Sequence, residues 1–203
     1  MRLCARSGAR SWNGDELLKR AIDLALCVAV LPLALPLCLL LLAAVRIESR
    51  GAPLFVQVRV GRHQRPFRLL KLRTMAADTS DLPSHEVDPA HITRVGAWLR
   101  RTKLDELPQL LNVIAGSMSL VGPRPCLYSQ VELIAEREKH GLFRYRPGVT
   151  GPAQLLGIDM SQPRLLAEAE ANYFRAAGAI DDVALILRTA LGGGSGDAAI
   201  RPR

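Results

Sequence analysis

A long apolar stretch near the beginning of the chain is its strongest pattern. No charged residue occurs between Leu24 and Val45, and a helix of this length reaches across the hydrocarbon core of a bilayer. Pro32 and Pro36 lie in the middle, where each removes a backbone hydrogen bond, so a bend is expected there. A helix that crosses the membrane once and a re-entrant helix that leaves on the side it entered both fit. A cleaved signal peptide is disfavoured, because the stretch is too long and lacks a convincing cleavage site.

Basic residues flank both ends of the apolar stretch. Lys19 and Arg20 precede it. Arginines follow it at positions 46, 50, 59, 62, 65 and 68. Because basic flanks stay in the cytoplasm, this charge pattern favours a re-entrant membrane helix, which we predict over residues 19–50 after a mobile leader over residues 1–18. Asp23 would be costly in lipid, so we expect it near the interface or paired with a cation such as Arg20.

The rest of the chain alternates between strand-like and helical patterns within one domain, residues 51–191. Two extended segments on either side of Gly61 predict a β-hairpin close to the membrane exit. The hairpin strands are expected at 54–60 and 67–75, a further short strand at 118–121, and helices at 92–99, 104–116, 127–140, 165–177 and 182–191. Loops are expected at 77–89 and 146–151, and a flexible tail at 192–203. The fold class expected is α+β.

Composition narrows the classes of partner. The net charge of +8 and the pI near 9.9 predict a negatively charged partner: nucleic acid, anionic lipid or a phosphorylated substrate. Nucleic acid is disfavoured, because Phe67 is the only aromatic residue in the basic stretch from Arg59 to Arg73. The four cysteines are widely spaced and form no CxxC pair, so the sequence predicts neither a zinc site nor a disulfide framework.

The most informative polar segment contains two adjacent acids, Asp105 and Glu106. Pro108 fits the first turn of a helix, which places the pair at or near a helix N-terminus. Acids favour that end for stability alone, so capping is one interpretation. The nearby cations are Arg94, Arg100, Arg101 and Lys103. Because cations keep a carboxylate ionised and attract phosphate, the second interpretation is chemical: one carboxylate attacks phosphorus and its neighbour holds Mg²⁺.

Two further cations are candidates for phosphate binding. Arg124 lies between two prolines and offers a preorganised guanidinium fork, although a surface turn would also explain it. Lys71 and Arg73 alternate along the second hairpin strand and are expected to point the same way. They form either a solvated strand face or one wall of an anion site.

Four segments together resemble the bacterial sugar transferases, the monotopic phosphoglycosyl transferases that initiate glycoconjugate assembly. The segments are Lys-Leu-Arg-Thr-Met at 71–75, Leu-Asp-Glu-Leu-Pro-Gln at 104–109, Val-Gly-Pro-Arg-Pro at 121–125 and Arg-Pro-Gly-Val-Thr-Gly at 146–151. The resemblance runs from about residue 19 to residue 191, in the family's order and spacing. It implies a Mg²⁺-dependent ping-pong reaction on the cytoplasmic face of the bacterial inner membrane. A UDP-sugar gives its sugar phosphate to an aspartate and releases UMP, and polyprenyl phosphate then takes the sugar phosphate.

The resemblance also implies roles for individual residues. Asp105 is the nucleophile, Glu106 the metal ligand, and Lys71, Arg100 and Arg124 the phosphate-binding cations. Pro36 matches the family's helix-breaking proline. The catalytic domain is residues 51–191, with amphipathic helices on the bilayer surface and a small sheet around an interfacial active site. The expected partners are a UDP-sugar, polyprenyl phosphate and membrane lipid, and no nucleic acid; the sugar, the glycan pathway and the oligomeric state stay open.

The chain departs from the family's pattern at three places. Leu35 precedes the helix-breaking proline where members often have serine, and Ser117 stands where many have an acid. Ile158 and Asp159 follow Gly157 where the family often has an arginine, which weakens any inference about how the nucleotide or the sugar is held. The alternative function is a membrane-tethered basic binding protein without catalysis.

Overall fold

The protein combines helices with two small sheets. The computed structural model describes residues 12–76 and 91–192, with side chains from Glu16 onward in the first helix. The α-helices of these ranges are α1 Trp12–Glu48, α2 Arg94–Thr102, α3 Gln109–Ile114, α4 Val131–Lys139, α5 Pro152–Leu155, α6 Pro163–Ala176 and α7 Ala179–Ala190. The strands are β1 Leu54–Val60, β2 Pro66–Leu72, β3 Ser119–Val121 and β4 Gly148–Thr150. Short 3-10 turns cover Arg62–Gln64, Leu104–Glu106 and Leu142–Arg144. This mixture confirms the predicted α+β composition.

Some of the predicted segments fall outside the described residues. These are residues 1–11 of the predicted leader, the whole predicted loop 77–89, and residues 193–203 of the predicted tail. The part of the leader that is described, from Trp12, belongs to α1. The helix therefore begins before residue 19, the predicted start of the membrane segment.

Helix α1 is apolar and continues through both of its prolines. Its segment Glu16–Glu48 has a mean hydropathy of 2.8 in its most apolar window, and is long and apolar enough to cross a membrane. Its buried residues recur at helical spacing on one face: Asp23, Cys27, Ala34, Leu41 and Val45. Large apolar side chains elsewhere on the helix are exposed, among them Leu33 at 75% and Leu40 at 70%. The helix hydrogen-bond pattern spans Pro36, whose helix-breaking role stays a prediction.

Both ends of α1 contact the rest of the domain through polar groups. Near its beginning, the Arg20 guanidinium donates to the carbonyl oxygens of Val113 at 2.6 Å and Ile114 at 3.0 Å. Near its end, the Glu48 carboxylate accepts from the backbone N–H of Val95 at 3.0 and 3.1 Å. These contacts anchor both ends of one helix to the same domain.

Of the two expectations for Asp23, pairing with Arg20 is not seen, and a position near the interface stays a prediction. The Asp23 carboxylate, 4% exposed, accepts from the Ser119 hydroxyl at 2.7 Å and from the Leu120 backbone N–H at 3.2 Å. Arg20 is directed at helix carbonyls instead. A carboxylate with two hydrogen-bond donors is satisfied without a cation, which explains how an acid is tolerated beside the apolar stretch.

The predicted hairpin is confirmed. Strands β1 and β2 pair antiparallel, with Leu54 opposite Leu72 and Val60 opposite Pro66. Strand β2 ends at Leu72 rather than at residue 75. The side chain of Asn112 in α3 fixes this strand, because it accepts from the Leu70 N–H at 3.0 Å and donates to the Arg68 carbonyl at 2.8 Å.

The prediction of a loop at 146–151 is wrong, because Gly148–Thr150 forms strand β4. It pairs in parallel with β3, with Ser119 opposite Gly148 and Val121 opposite Thr150. Close approach of the two chain segments requires glycine: a Cβ at Gly148 would lie 2.0 Å from the backbone nitrogen of Gly122. The proline and glycines that suggested a loop therefore serve a tightly packed strand pair.

Candidate active site

The acidic pair lies on a 3-10 turn that joins α2 to α3. Lys103 ends α2 in the left-handed conformation, with φ of 58°, and the turn Leu104–Glu106 follows directly. Helix α3 begins at Gln109 after Pro108, and its first turn contains no acidic residue. The predicted position close to a helix N-terminus is therefore right. The two acids lie on the 3-10 turn and not in the first turn of α3, so they do not cap that helix.

Lys71 and Arg124 contact the two carboxylates. The Lys71 Nζ atom lies 3.4 Å from Asp105 Oδ2 and 3.8 Å from Glu106 Oε1. The Arg124 Nη2 atom donates to Glu106 Oε1 at 3.1 Å. We call Lys71, Asp105, Glu106 and Arg124 the carboxylate site. Strand β2, the 3-10 turn and the loop after β3, which are distant in sequence, each contribute to it.

The position of Lys71 answers the question that its alternation with Arg73 left open. Lys71 faces the carboxylates, so this part of the strand is one wall of a candidate anion site. Arg73 lies beyond the end of β2, and its Nη2 atom donates to the Ser49 carbonyl at 2.8 Å and to the Ser49 hydroxyl at 2.6 Å. Arg73 thus fixes the exit from α1 and takes no part in the carboxylate site.

Arg100 has a different neighbour from the one expected. Its side chain is buried in α2, and its Nε atom donates to the Thr74 hydroxyl at 2.8 Å rather than to a carboxylate. The Nη1 atom of Arg100 is buried and has no hydrogen-bond partner among residues 12–76 and 91–192. A buried guanidinium nitrogen without an acceptor is unfavourable, and an anionic ligand would satisfy it.

A pocket of about 150 Å³ opens beside Glu106. Its lining residues are Lys103, Glu106, Leu107, Leu110, Val149, Thr150, Gln154 and Thr189. Burial lowers the pKa of Lys103; the Glu106 carboxylate opposes this shift and Arg124 adds to it. The Oε1 atom of Gln154 is buried and lacks a hydrogen-bond donor within the described part of the chain. Sequence reasoning did not single out Gln154, although it lies only three residues after one of the recognised segments.

Two carboxylates are available as metal ligands in this site. Among residues 12–76 and 91–192, no group of three His, Cys, Asp or Glu side chains is placed to hold a metal ion. Mg²⁺ commonly uses one or two carboxylates together with phosphate oxygens of its substrate. Asp105 and Glu106 therefore fit a Mg²⁺ ion that is shared with a phosphorylated substrate, with Glu106 on the pocket side.

The positions that depart from the family's pattern have structural partners. Ile158 packs against a buried cluster formed by Val60, Cys126, Leu133, Ala153 and Leu166. Asp159 accepts from the backbone N–H of Ser161 at 2.9 Å. The Ser117 hydroxyl donates to the Asn112 carbonyl at 3.1 Å, beside the side chain that fixes β2. None of these three residues lines the pocket beside Glu106.

Comparison with known proteins gives consistent matches. The profile of the family described as Bacterial sugar transferase matches residues 14–193. The UDP-glucose:undecaprenyl-phosphate glucose-1-phosphate transferase of Caulobacter vibrioides is 38% identical over 185 residues, 86% of this chain and 68% of that protein. The undecaprenyl-phosphate glucose phosphotransferase of Komagataeibacter xylinus is 43% identical over 152 residues, 70% of this chain and 28% of that protein.

A third relative has another sugar in its name. The UDP-N-acetylgalactosamine-undecaprenyl-phosphate N-acetylgalactosaminephosphotransferase of Aeromonas hydrophila is 32% identical over 179 residues, which are 85% of this chain and 42% of that protein. The chain thus spans between 28% and 68% of the length of these three relatives. Because the profile covers nearly the whole chain and every segment of the carboxylate site, the chain belongs to the bacterial sugar transferase family.

Proposed function

We propose that this protein is a phosphoglycosyl transferase that moves a sugar 1-phosphate from a UDP-sugar to polyprenyl phosphate, the first membrane step of glycoconjugate assembly. The observation that carries the proposal is the contact of Lys71 and Arg124 with adjacent carboxylates. The names of the three relatives support this chemistry, because each name contains both a sugar and undecaprenyl phosphate. Two cations beside two acids provide a nucleophile together with binding groups for phosphate.

The reaction proceeds through Asp105 in two displacements at the same phosphorus atom. In the first, an Asp105 oxygen forms a bond to the phosphorus next to the sugar, the bond from that phosphorus to the bridging oxygen breaks, and UMP leaves with the electron pair. In the second, an oxygen of polyprenyl phosphate forms a bond to this phosphorus and the Asp105 carboxylate leaves. Lys71 and Arg124 hold the phosphate oxygens through both displacements, and the buried Nη1 of Arg100 donates a hydrogen bond to a further one.

Glu106 is the proposed ligand of Mg²⁺. When bound, Mg²⁺ neutralises charge on the diphosphate of the donor. Glu106 is suited to this role because it lines the pocket, whereas Asp105 is 4% exposed and lies against Lys71. Arg124 holds Glu106 through one oxygen at 3.1 Å.

We propose that α1 enters and leaves the membrane on one side, the cytoplasmic face of the bacterial inner membrane. Two observations support this topology. Polar groups at both ends of α1 bond to the same domain, and apolar side chains between the ends, such as Val28, Leu33 and Leu40, are exposed. A polyprenyl tail can then remain in the bilayer while its phosphate meets the site. Exposed apolar residues of α7, Ile180 and Leu187, are suited to lie on the bilayer surface.

Release of UMP tests this function. The purified chain is incubated with polyprenyl phosphate, Mg²⁺ and either UDP-glucose or UDP-N-acetylgalactosamine, the donors named by the relatives. We expect UMP and polyprenyl diphosphosugar with at least one donor, and neither product from Asp105→Asn. Failure of the wild type to release UMP above the Asp105→Asn level with a panel of UDP-sugars would favour a binding protein without catalysis.

A further inference from the structure

The backbone of Arg124 is held from both sides by a buried ion pair. Glu170, in α6, accepts from the Arg124 backbone N–H through Oε1 at 3.2 Å. Arg137, in α4, donates from Nη1 to the Arg124 carbonyl at 2.7 Å. The two side chains also bond to each other, from Arg137 Nη2 to Glu170 Oε1 at 2.7 Å and from Nε to Oε2 at 2.9 Å. We call Arg137 and Glu170 the clamp.

The clamp is isolated from solvent. The exposed fraction of the side chain is 2% for Arg137 and 1% for Glu170. Burial raises the pKa of Glu170, and the charge and hydrogen bonds of Arg137 oppose that shift. A buried ion pair is often no more stabilising than apolar side chains of the same volume, because both charges lose their hydration. A gain in stability is therefore a weak explanation for the presence of this ion pair. Its hydrogen bonds to the backbone of Arg124 are a stronger explanation.

The loop around Arg124 depends on external hydrogen bonds. Pro123 and Pro125 have no N–H groups, and the segment forms no helix or strand. The Pro123 carbonyl accepts from the Gly148 N–H at 2.9 Å, which ties one side of the loop to β4. The N–H and the carbonyl of Arg124 itself are satisfied by the clamp. The clamp therefore holds both backbone polar groups of Arg124, while the Arg59 Nη1 atom donates to the Pro125 carbonyl at 3.3 Å on the other side of the loop.

We infer that Arg137 and Glu170 are positioning residues that hold Arg124 in register with Glu106 for phosphoryl transfer. The inference rests on the proposed function, in which Arg124 binds phosphate. The Arg124 guanidinium meets Glu106 Oε1 at 3.1 Å, a distance that a small backbone displacement would destroy. A misplacement of about 1 Å in a catalytic constellation can cost about 100-fold in rate.

The test replaces the clamp by apolar side chains of similar volume. In Arg137→Met/Glu170→Leu no unpaired charge is left buried, so the protein is expected to fold and to keep its melting temperature within a few degrees. The two bonds to Arg124 are lost, and we expect kcat for UMP release to fall about 10- to 100-fold with a smaller change in KM. Wild-type kcat in this folded variant would overturn the inference.

A double-mutant cycle shows whether the clamp acts through Arg124. Residues that act on one another are not additive, so the clamp substitutions should lose their effect on kcat in an Arg124→Ala background. Full additivity would overturn the inference and leave the proposed function intact. Wild-type activity of Arg124→Ala alone would instead contradict the proposed role of Arg124. Glu170→Gln, which keeps the side-chain size, is measured in the same cycle as a second variant.

A matched control separates positioning from general destabilisation. Leu142 packs against Ala167 and Ala171 of α6 and is 2% exposed, in a core cluster that includes neither Arg137 nor its hydrogen-bond partner Cys126. Leu142→Ala should lower the melting temperature and leave the kcat of the folded enzyme unchanged. A fall in kcat for Leu142→Ala equal to that of the clamp variant would show that loss of packing alone explains the result, and would overturn the inference.

Discussion

The carboxylate site and the clamp both pair cations with carboxylates, but they differ in geometry and in access to a pocket. In the carboxylate site Lys71 Nζ lies 3.8 Å from Glu106 Oε1, Arg124 Nη2 lies 3.1 Å from the same oxygen, and a pocket opens next to Glu106. In the clamp, a guanidinium fork meets a carboxylate at 2.7 and 2.9 Å in an enclosed interior. A carboxylate beside an open pocket can be reached by a substrate phosphate, whereas a guanidinium fork saturated by a buried carboxylate stays where it is. We propose that the carboxylate site reacts and that the clamp holds it in place.

The largest expected effect is the loss of the nucleophile. Asp105→Asn keeps the shape of the side chain but lacks an anionic oxygen, so UMP release should fall on the order of 1,000-fold or more. Glu106→Gln should be less severe, and added Mg²⁺ should partly restore its activity. Cooperative unfolding of both variants, within a few degrees of the wild-type melting temperature, is the control. Substantial UMP release by Asp105→Asn would exclude this carboxylate as the attacking group.

The next effect tests the geometry of the cation rather than its charge. Arg124→Lys retains a positive charge but loses the planar fork, so kcat should fall about 100-fold. Association with membranes should not change, because Arg124 is not part of α1 and its side chain contacts Glu106. Steady-state kinetics and membrane fractionation check both expectations. Wild-type kinetics would remove Arg124 from the carboxylate site.

The loss of stability should be larger for a substitution in the clamp than for one in the carboxylate site, which is the reverse of the expected losses of activity. Glu170→Gln leaves the buried Arg137 charge without its counter-ion and should lower the free energy of unfolding by about 3 kcal/mol. Glu106→Gln keeps an acceptor for Arg124 in a partly solvated place and should cost about 1 kcal/mol or less. Denaturant titration of both variants in the same detergent measures the difference. Equal costs would mean that the two clusters do not differ in the way proposed.

The smallest perturbation addresses the membrane topology. Leu17, 73% exposed, and Arg50, also exposed, lie on either side of the apolar stretch. Each is replaced singly by cysteine in a chain whose four native cysteines are changed to alanine. Both sites should react only with reagent that reaches the cytoplasm, and activity should hardly change. Labelling of one site from the periplasm would establish a spanning helix in place of a re-entrant one.

Local sequence signals predicted the parts of the fold that depend on periodicity. The hairpin and the two C-terminal helices follow from alternating and helical patterns, and α6 and α7 begin within a few residues of the expected positions. Strand β4 was missed because Pro147 and Gly148 resemble loop residues, and its pairing depends on a distant partner, β3. The beginning of α1 was missed because its first residues are polar, although they are helical.

The residues of the candidate site also fall into two groups, those that the sequence predicts and those that only the structure shows. The acidic pair, Lys71 and Arg124 were found because recognisable short segments carry them. Arg137 and Glu170 carry no such signal: they lie 33 residues apart, on amphipathic helices where charged residues usually face solvent. Their pairing arises from the packing of α4 against α6. Only the folded structure shows it.

The covalent role of Asp105 is tested most directly by the first half-reaction alone. The wild type is incubated with Mg²⁺ and a UDP-sugar labelled in the sugar, without polyprenyl phosphate. Our account predicts that label stays on the denatured protein, that UMP is released in equal amount, and that Asp105→Asn does neither. Label on Asp105→Asn, or UMP release by the wild type only when polyprenyl phosphate is present, would contradict the account and indicate either another nucleophile or direct transfer between the two substrates.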